Sequence, residues 1–349
     1  MGRTRSHGAR WENPVKSLTK SSDGGKIKEM ARTARKKKEK RMVYTVTLNP
    51  AVDYYVYTDE LRVGTIERAK SERISFGGKG INVSRVLTAL GVENKALGFL
   101  AGFTGRAIEE ALNKEGLSTD FCFLSSGTTR INVKIRHGRE TDVNGIGANI
   151  SLEEVGILYE RFRDLRDGDV LMLLGSVPEG LPKEVYRDIL LHFRERNIYT
   201  VVDAEGELLL KTLQATPFLV KPNREELALL LGRPLTTERE LLDGAKELQT
   251  WGARNVLLSL GKDGALLLLE SGEAYRIESA RGECVNSVGA GDAMLAGFLA
   301  EYLSSEGDAL RALRFGTAAG SATAFREGFA TKREIEATLS MLGDAVRVL

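Results

Sequence analysis

Asp292 follows three small residues, Gly289, Ala290 and Gly291, and precedes an apolar run with helical spacing. A glycine turn feeding a helix start leaves backbone N–H groups without intrahelical partners, and the helix dipole adds partial positive charge there. Such a turn suits a phosphate or a developing anion. An aspartate at its mouth is placed to take a proton from an attacking hydroxyl. The same aspartate can simply cap the helix, and these four residues leave both readings open. The stretch is not a dinucleotide fingerprint, because Met294 stands where a third glycine would fall, and no GxxxxGK[ST] pattern occurs anywhere in the chain.

Three further stretches carry candidate chemistry. In "SFGGKGINVSRVLTALG" (75–91), Gly77, Gly78 and Gly80 allow close backbone approach to a ligand, Lys79 offers a charge among them, and Asn82 can bond sugar hydroxyls. The alternative is a glycine-rich turn entering a helix with Lys79 solvated. In "TLNPAVD" (47–53), Asp53 is expected at the carboxyl end of a strand, as a ligand group or as a turn former. In "KPNREE" (221–226), Asn223 and Glu226 lie three apart at a helix start. Such a pair can hold Mg²⁺ through water near nucleotide phosphates, or can be no more than a capping box.

These groups need elements to position them. From Met42 the chain alternates strand and helix: "VYTVTLN", a helix ending at Gly91, "KALGFL", the helix "GRAIEEALNKEG", then the continuous apolar run "DVLMLLG". Further strands are expected at "YTVVD", "PFLVKP", "NVLLSLG" and "ALLLLE", with helices between them and two closing helices. This order predicts an α/β fold with a central, mostly parallel sheet and helices on both faces. Residues 52–76 and 130–145 alternate polar and apolar and read as hairpin strands. They are expected to form a small β-sheet lid beyond the carboxyl ends of the core strands, where open sheets bind ligands.

Taken together and in this order, the early "GGKGINVSRVLTALG" and the late "NSVGAGDAMLAGF" make the chain resemble the PfkB branch of the ribokinase-like sugar kinases, from Met42 to the C-terminus. The resemblance implies that Asp292 is the catalytic base and that the amides of Gly289, Ala290 and Gly291 form an anion hole. It implies that Asn223 and Glu226 support Mg²⁺-ATP, with Glu226 acting through water. It brings Ser259, Gly261 and Gly264 of "SLGKDG" to the nucleotide, and "AAGSATAF" (318–325) beside the adenine. Asp53, Gly78, Lys79 and Asn82 match sugar-holding positions, joined by Ser176 in "GSVPEG". Arg130 in "TTRINVKI" suits, with Lys79, a phosphate already on the sugar, because guanidinium donors form a rigid fork. Asn286 and Ser287 replace the Asp-Thr of many relatives, and Val177 and Glu179 depart from the common Leu and Pro. The combination looks most like 1-phosphofructokinases, with tagatose-6-phosphate kinases next. The implied reaction is ATP-dependent phosphorylation of a ketohexose monophosphate, foremost fructose 1-phosphate to fructose 1,6-bisphosphate. The alternatives are tagatose-6-phosphate kinase, 6-phosphofructokinase and a non-catalytic sugar-phosphate sensor. Relatives commonly form homodimers through the lid, and Tyr54, Tyr55 and Tyr57 are candidate contacts.

The bulk composition excludes other classes. Two cysteines and three scattered histidines lack metal-ligand spacing, and no run is long enough to span a membrane. Residues 1–41 carry 14 Lys/Arg against 4 Asp/Glu, a net of +10, so the remaining chain carries −8 within the overall +2. An acidic body argues against a nucleic-acid partner, and a cytoplasmic location is expected. The basic extension reads as disordered. "KKKEKR" resembles a translated ribosome-binding stretch, which makes Met42 the expected natural start.

Overall fold

The computed structural model describes residues 41–138, 140–342 and 346–349. Apart from Arg41, the basic extension lies outside the described residues. Seven strands run parallel: β1 (Val43–Thr47), β4 (Asn94–Ala101), β5 (Cys122–Leu124), β8 (Val170–Leu174), β9 (Tyr199–Asp203), β10 (Leu219–Val220) and β11 (Asn255–Ser259). Three antiparallel strands extend the sheet beyond β11: β12 (Ala265–Leu268), β13 (Ala274–Ile277) and β14 (Arg347–Val348). The spatial order is β14-β13-β12-β11-β10-β9-β8-β1-β4-β5. Every residue of β1, β8, β11 and β12 is buried. Helices cover both faces, which is why these strands read as unbroken apolar runs.

Helix α1 (Lys79–Leu90) lies on one face of the sheet together with α8 (Ala290–Ser304), α9 (Ala309–Ala324) and α10 (Lys332–Leu342), all contributing to one core cluster. Helix α2 (Gly102–Lys114) packs through Ile108 and Leu112 in a smaller cluster with Ile81 and Leu100. The other face carries α3 (Leu152–Arg161), α4 (Val185–His192), α5 (Gly206–Leu213), α6 (Arg224–Leu231) and α7 (Glu238–Thr250). Three helices close the chain rather than two. A short break at 305–308 separates α8 from α9, whose N-terminus Asp308 caps through Leu310 and Arg311 N–H.

A separate four-stranded sheet has the order β3-β2-β6-β7, from β2 (Ala51–Tyr57), β3 (Ser71–Gly77), β6 (Arg130–Arg136) and β7 (Glu140–Asn144). Its register sorts the side chains. Asp53, Ser75, Asn132 and Asn144 share one cross-strand row, and Ile74, Tyr54, Val133 and Val143 form the next, on the opposite face. Val52 and Phe76 anchor the sheet against Ile81 and Leu100 of the body. Asp53 is therefore the third residue of a lid strand. It is not at the carboxyl end of β1, because Pro50 turns the chain into β2 first.

Candidate active site

The strand order reverses at β1, which is flanked by β4 on one side and β8 on the other. A crevice opens beyond the carboxyl ends at such a switch point. Next to it, beyond the ends of β9, β10 and β11, a cavity of about 530 Å³ is lined by Lys79, Asp203, Lys221, Asn223, Glu226, Ser259, Gly261, Cys284, Gly289 to Asp292, Ser321 and Phe325, among others. The residues come from α1, the ends of β9, β10 and β11, α6, α8 and α9. The early and late glycine bends thus face one cleft. No group of three or more His, Cys, Asp or Glu among the described residues is arranged to hold a metal ion by itself.

Helix α8 begins in an unusual way. Gly289 at its N-cap adopts φ 82°, ψ −4°, in the left-handed region that favours glycine, and no side chain caps the helix. Ala290 N–H donates to Ser287 O at 3.2 Å, and the helical ladder starts with Ala293 N–H to Gly289 O at 2.8 Å. The Ala290 amide is thus engaged within the turn, and those of Gly289, Gly291 and Asp292 are the other backbone donors at this helix start. Asp292 is 8% exposed and does not cap the helix; its Oδ2 accepts a hydrogen bond from Asn82 Nδ2 at 2.8 Å. Burial, then the negative charge of Asp203, push its pKa from 3.8 up to about 6, against the opposing pull of Asn82, Lys221 and Lys79.

Beneath this turn lies a buried charge cluster. Asp203, 1% exposed, accepts a hydrogen bond from Lys79 Nζ at 2.7 Å and pairs with Lys221 Nζ at 3.0 Å. Burial alone would raise Asp203's pKa, but the charges of Lys221 and Lys79 outweigh it and hold it below the ordinary range. Lys79 also lies 3.7 Å from Glu226 Oε1, and its own pKa is raised, its acidic neighbours overcoming burial. Asn223 and Glu226 form a full capping box: Asn223 Oδ1 accepts from Glu226 N at 2.7 Å, and Glu226 Oε2 from Asn223 N at 2.8 Å. That engages Asn223 as a cap and leaves Glu226 Oε1 turned toward the cavity. Asp203 and Lys221 did not emerge as candidates from the sequence. Each stands as a charged residue closing an apolar strand, in "YTVVD" and "FLVKP".

On the acceptor side, a Cβ on Gly77 would lie 3.5 Å from Asp53 Oδ2 and 3.8 Å from Asn82 Oδ1, so these two side chains converge on the same spot. Asn132 Nδ2 holds Asp53 Oδ1 at 2.9 Å. The close fit of α1 on β1 fixes this geometry: a Cβ on Gly80 would stand 2.3 Å from Thr47 Oγ1. Arg130 Nη2 donates to Asn49 O at 3.1 Å, and Asn49 Nδ2 reaches Ser176 Oγ at 3.3 Å. Arg130 Nε is buried without a partner. Gly78 begins α1 behind Lys79, with a Cβ there only 2.6 Å from Thr47 Cγ2. Ser259 and Gly261 line the cavity, whereas Gly264 does not: its Cα packs against the Ile277 backbone, where a Cβ would stand 2.1 Å from Ile277 O. Its role is in the β11–β12 turn. Lys134 and Arg136 both pair with Asp142, at 2.9 and 2.7 Å.

Residues 42–336 match the family described as pfkB family carbohydrate kinase. The chain is 43% identical to the 1-phosphofructokinase of Bacillus subtilis, covering 85% of this chain and 97% of that one. It is 39% identical to the D-tagatose-1-phosphate kinase of Bacillus licheniformis, covering 86% and 98%. The crystal structure of Escherichia coli phosphofructokinase-2 in complex with fructose-6-phosphate is similar in fold, with a TM-score of 0.78 at 27% identity, covering 86% and 99%.

Proposed function

The chain belongs to the pfkB family of carbohydrate kinases and is a sugar phosphotransferase, and we propose that it transfers the γ-phosphoryl group of ATP to the 6-hydroxyl of fructose 1-phosphate. The non-catalytic sensor is set aside with that membership. The observation that carries the reading is Asp292, a buried carboxylate whose proton affinity is raised toward neutrality, bonded to Asn82 on the acceptor side and seated beside the uncapped amides of α8.

Phosphoryl transfer needs positioning and charge neutralisation more than covalent chemistry. Asp292 takes the proton of the acceptor hydroxyl, while Gly289, Gly291 and their neighbouring amides hold the transferred group. Asp53 and Asn82 bind sugar hydroxyls, and Arg130, Lys79 and Ser176 lie toward the sugar's own phosphate. Ser259, Gly261 and the α9 segment ending at Phe325 bound the nucleotide. Two ammonium groups, the part-buried Lys79 and the buried Lys221, are outnumbered by Asp203, Glu226 and Asp292, so the floor carries no surplus positive charge for a triphosphate. That imbalance, with Glu226 Oε1 as a hard oxygen donor, fits Mg²⁺ arriving with ATP and held by Glu226 through water. Mg²⁺ would neutralise charge between the phosphates.

The names of both curated relatives place the sugar's phosphate on carbon 1, which favours a 1-phosphate over the 6-phosphates as acceptor. Tagatose 1-phosphate, sharing that feature, is the second reading. We further propose that the outward-facing row Ile74, Tyr54, Val133 and Val143 forms a homodimer contact through the lid. The deciding experiment is a coupled ADP-release assay across fructose 1-phosphate, tagatose 1-phosphate, fructose 6-phosphate and tagatose 6-phosphate. Fructose 1-phosphate is expected to lead in kcat/KM by at least about tenfold over the 6-phosphates, the scale of one well-placed polar contact. A higher kcat/KM for either 6-phosphate overturns the assignment.

A further inference from the structure

The transfer proposed above gives no direct role to two buried charged groups of the cavity floor, Asp203 and Lys221. Asp203 closes β9 at the centre of the cleft, and its two oxygens are answered by lysines from different parts of the chain. Oδ1 accepts from Lys79, at the start of α1 on the acceptor side, at 2.7 Å. Lys221, which follows β10 on the donor side, brings its Nζ to 3.0 Å from Oδ2. The same Nζ is 3.5 Å from the place a Cβ on Gly291 would take, so the ammonium lies beneath the first turn of α8. Burying a carboxylate is expensive even when paired. Two like charges would also move apart without an anion between them. A residue serving only to fill the space would be apolar.

We propose that Asp203 is a positioning residue for phosphoryl transfer: touching neither substrate, it holds the ammonium groups of Lys79 and Lys221 together beneath the amides of α8, where the charge of the transferred group must be met. This rests on reading the cleft as a phosphoryl-transfer site. It gives the cleft a single point at which donor and acceptor halves are tied. It also puts a fixed negative charge near Asp292, which is faced by Lys79 and Asn82 from α1, Asp203 from β9 and Lys221 from the end of β10, with Glu226 of α6 behind Lys79.

The test is Asp203→Asn, which keeps the shape and removes the charge. Loosening two phosphate-holding cations is expected to lower kcat by about 10²-fold, the cost of misplacement on the order of an ångström. KM for fructose 1-phosphate should rise by less than kcat falls, since Lys79 is loosened while Asp53, Asn82 and Arg130 remain. The acidic limb of the kcat profile should move to lower pH, because Asp292 loses a negative neighbour and stays ionised further down. A residue that only filled space would leave that limb in place. Should Asp203→Asn not fold, Asp203→Asn with Lys221→Met removes the stranded charge as well. The paired variant should lose more than Lys221→Met alone, by the share that runs through Lys79, yet less than the sum of the single losses, because part of the effect of Asp203 runs through Lys221. Carbon-13 titration of the aspartate carboxyls without substrates reads Asp292 directly, whichever sugar phosphate is preferred. An Asp292 titration that stays put overturns the proposal, as does kcat within about 3-fold of the parent, or additive losses in the paired variant. A parent that ignores fructose 1-phosphate yet shows the shifted titration in the variant counts against the substrate assignment alone.

Discussion

Asp292 is held in a state that costs the fold and that the proposed transfer would use. Its carboxyl is raised from 3.8 to about 6 chiefly by burial and then by Asp203. The protonated form therefore stabilises the protein, fully below the ordinary carboxylate range, and that stability is lost as pH rises through about 6. Keeping the carboxylate ionised in this setting costs the fold on the order of 3 kcal/mol at neutral pH. Asp292→Asn removes the penalty while keeping an oxygen for Asn82 Nδ2. The variant should melt several degrees above the parent at pH 8, with the difference vanishing near pH 4, and should lose about 10²–10⁴-fold in kcat. In the parent, kcat should fall as pH drops through about 6. A variant of unchanged melting temperature, or one retaining near-normal turnover, contradicts the assignment of Asp292 as a strained base.

Helix α6 shows why two readings of one pair of residues need not compete. Glu226 uses Oε2 to complete the capping box and leaves Oε1 to the cavity and Lys79. Glu226→Gln retains a cap acceptor but no charge, so thermal unfolding should be unchanged. The Mg²⁺ concentration for half-maximal rate should rise by about tenfold, as when an indirect ligand partner is lost. Glu226→Ala should raise it similarly and lose about 1 kcal/mol of cap energy besides. Unaltered Mg²⁺ dependence in the glutamine variant would reduce Glu226 to a cap. The same helix start marks what sequence could and could not supply. The glycine bends, the parallel core and the lid strands could be read, because each rests on local periodicity or on a motif of fixed spacing. Asp203 and Lys221 could not, since a charge at the end of an apolar strand gains its meaning only when neighbouring strands bring two such ends together. The order β8-β9-β10-β11 does that. Gly264 belongs to the same motif as Ser259 and Gly261 but does not line the cavity, because its backbone is packed against Ile277.

The lid joins the cleft to the outer surface. One face of its sheet carries Asp53 and Asn132, which the proposed function places against the acceptor, while the other carries Tyr54, Ile74, Val133 and Val143 in a cross-strand row. Ile74 is 57% exposed and Val143 59%, more apolar surface in one row than a solvated strand face needs. Tyr55 is not part of it: it is buried, with Arg73 stacked 4.3 Å over its ring. Burial of such side chains against a second copy would contribute about 1.5–3 kcal/mol each, and would fix the strand that presents Asp53. Ile74→Glu lies at an exposed position on the edge strand β3 and should fold, but it puts a charge into the contact row. Light scattering should find the parent at twice the chain mass of 38.2 kDa and the variant at the single mass. Because Asp53 shares the lid with Ile74 while the nucleotide groups sit on α6, α8 and β11, the monomer should show a raised KM for the sugar phosphate with the KM for ATP nearly unchanged. A parent already at the single mass, or a variant that stays at twice that mass, would remove the lid from the assembly. Equal loss toward both substrates would mean that the lid steadies the whole cleft rather than its acceptor half.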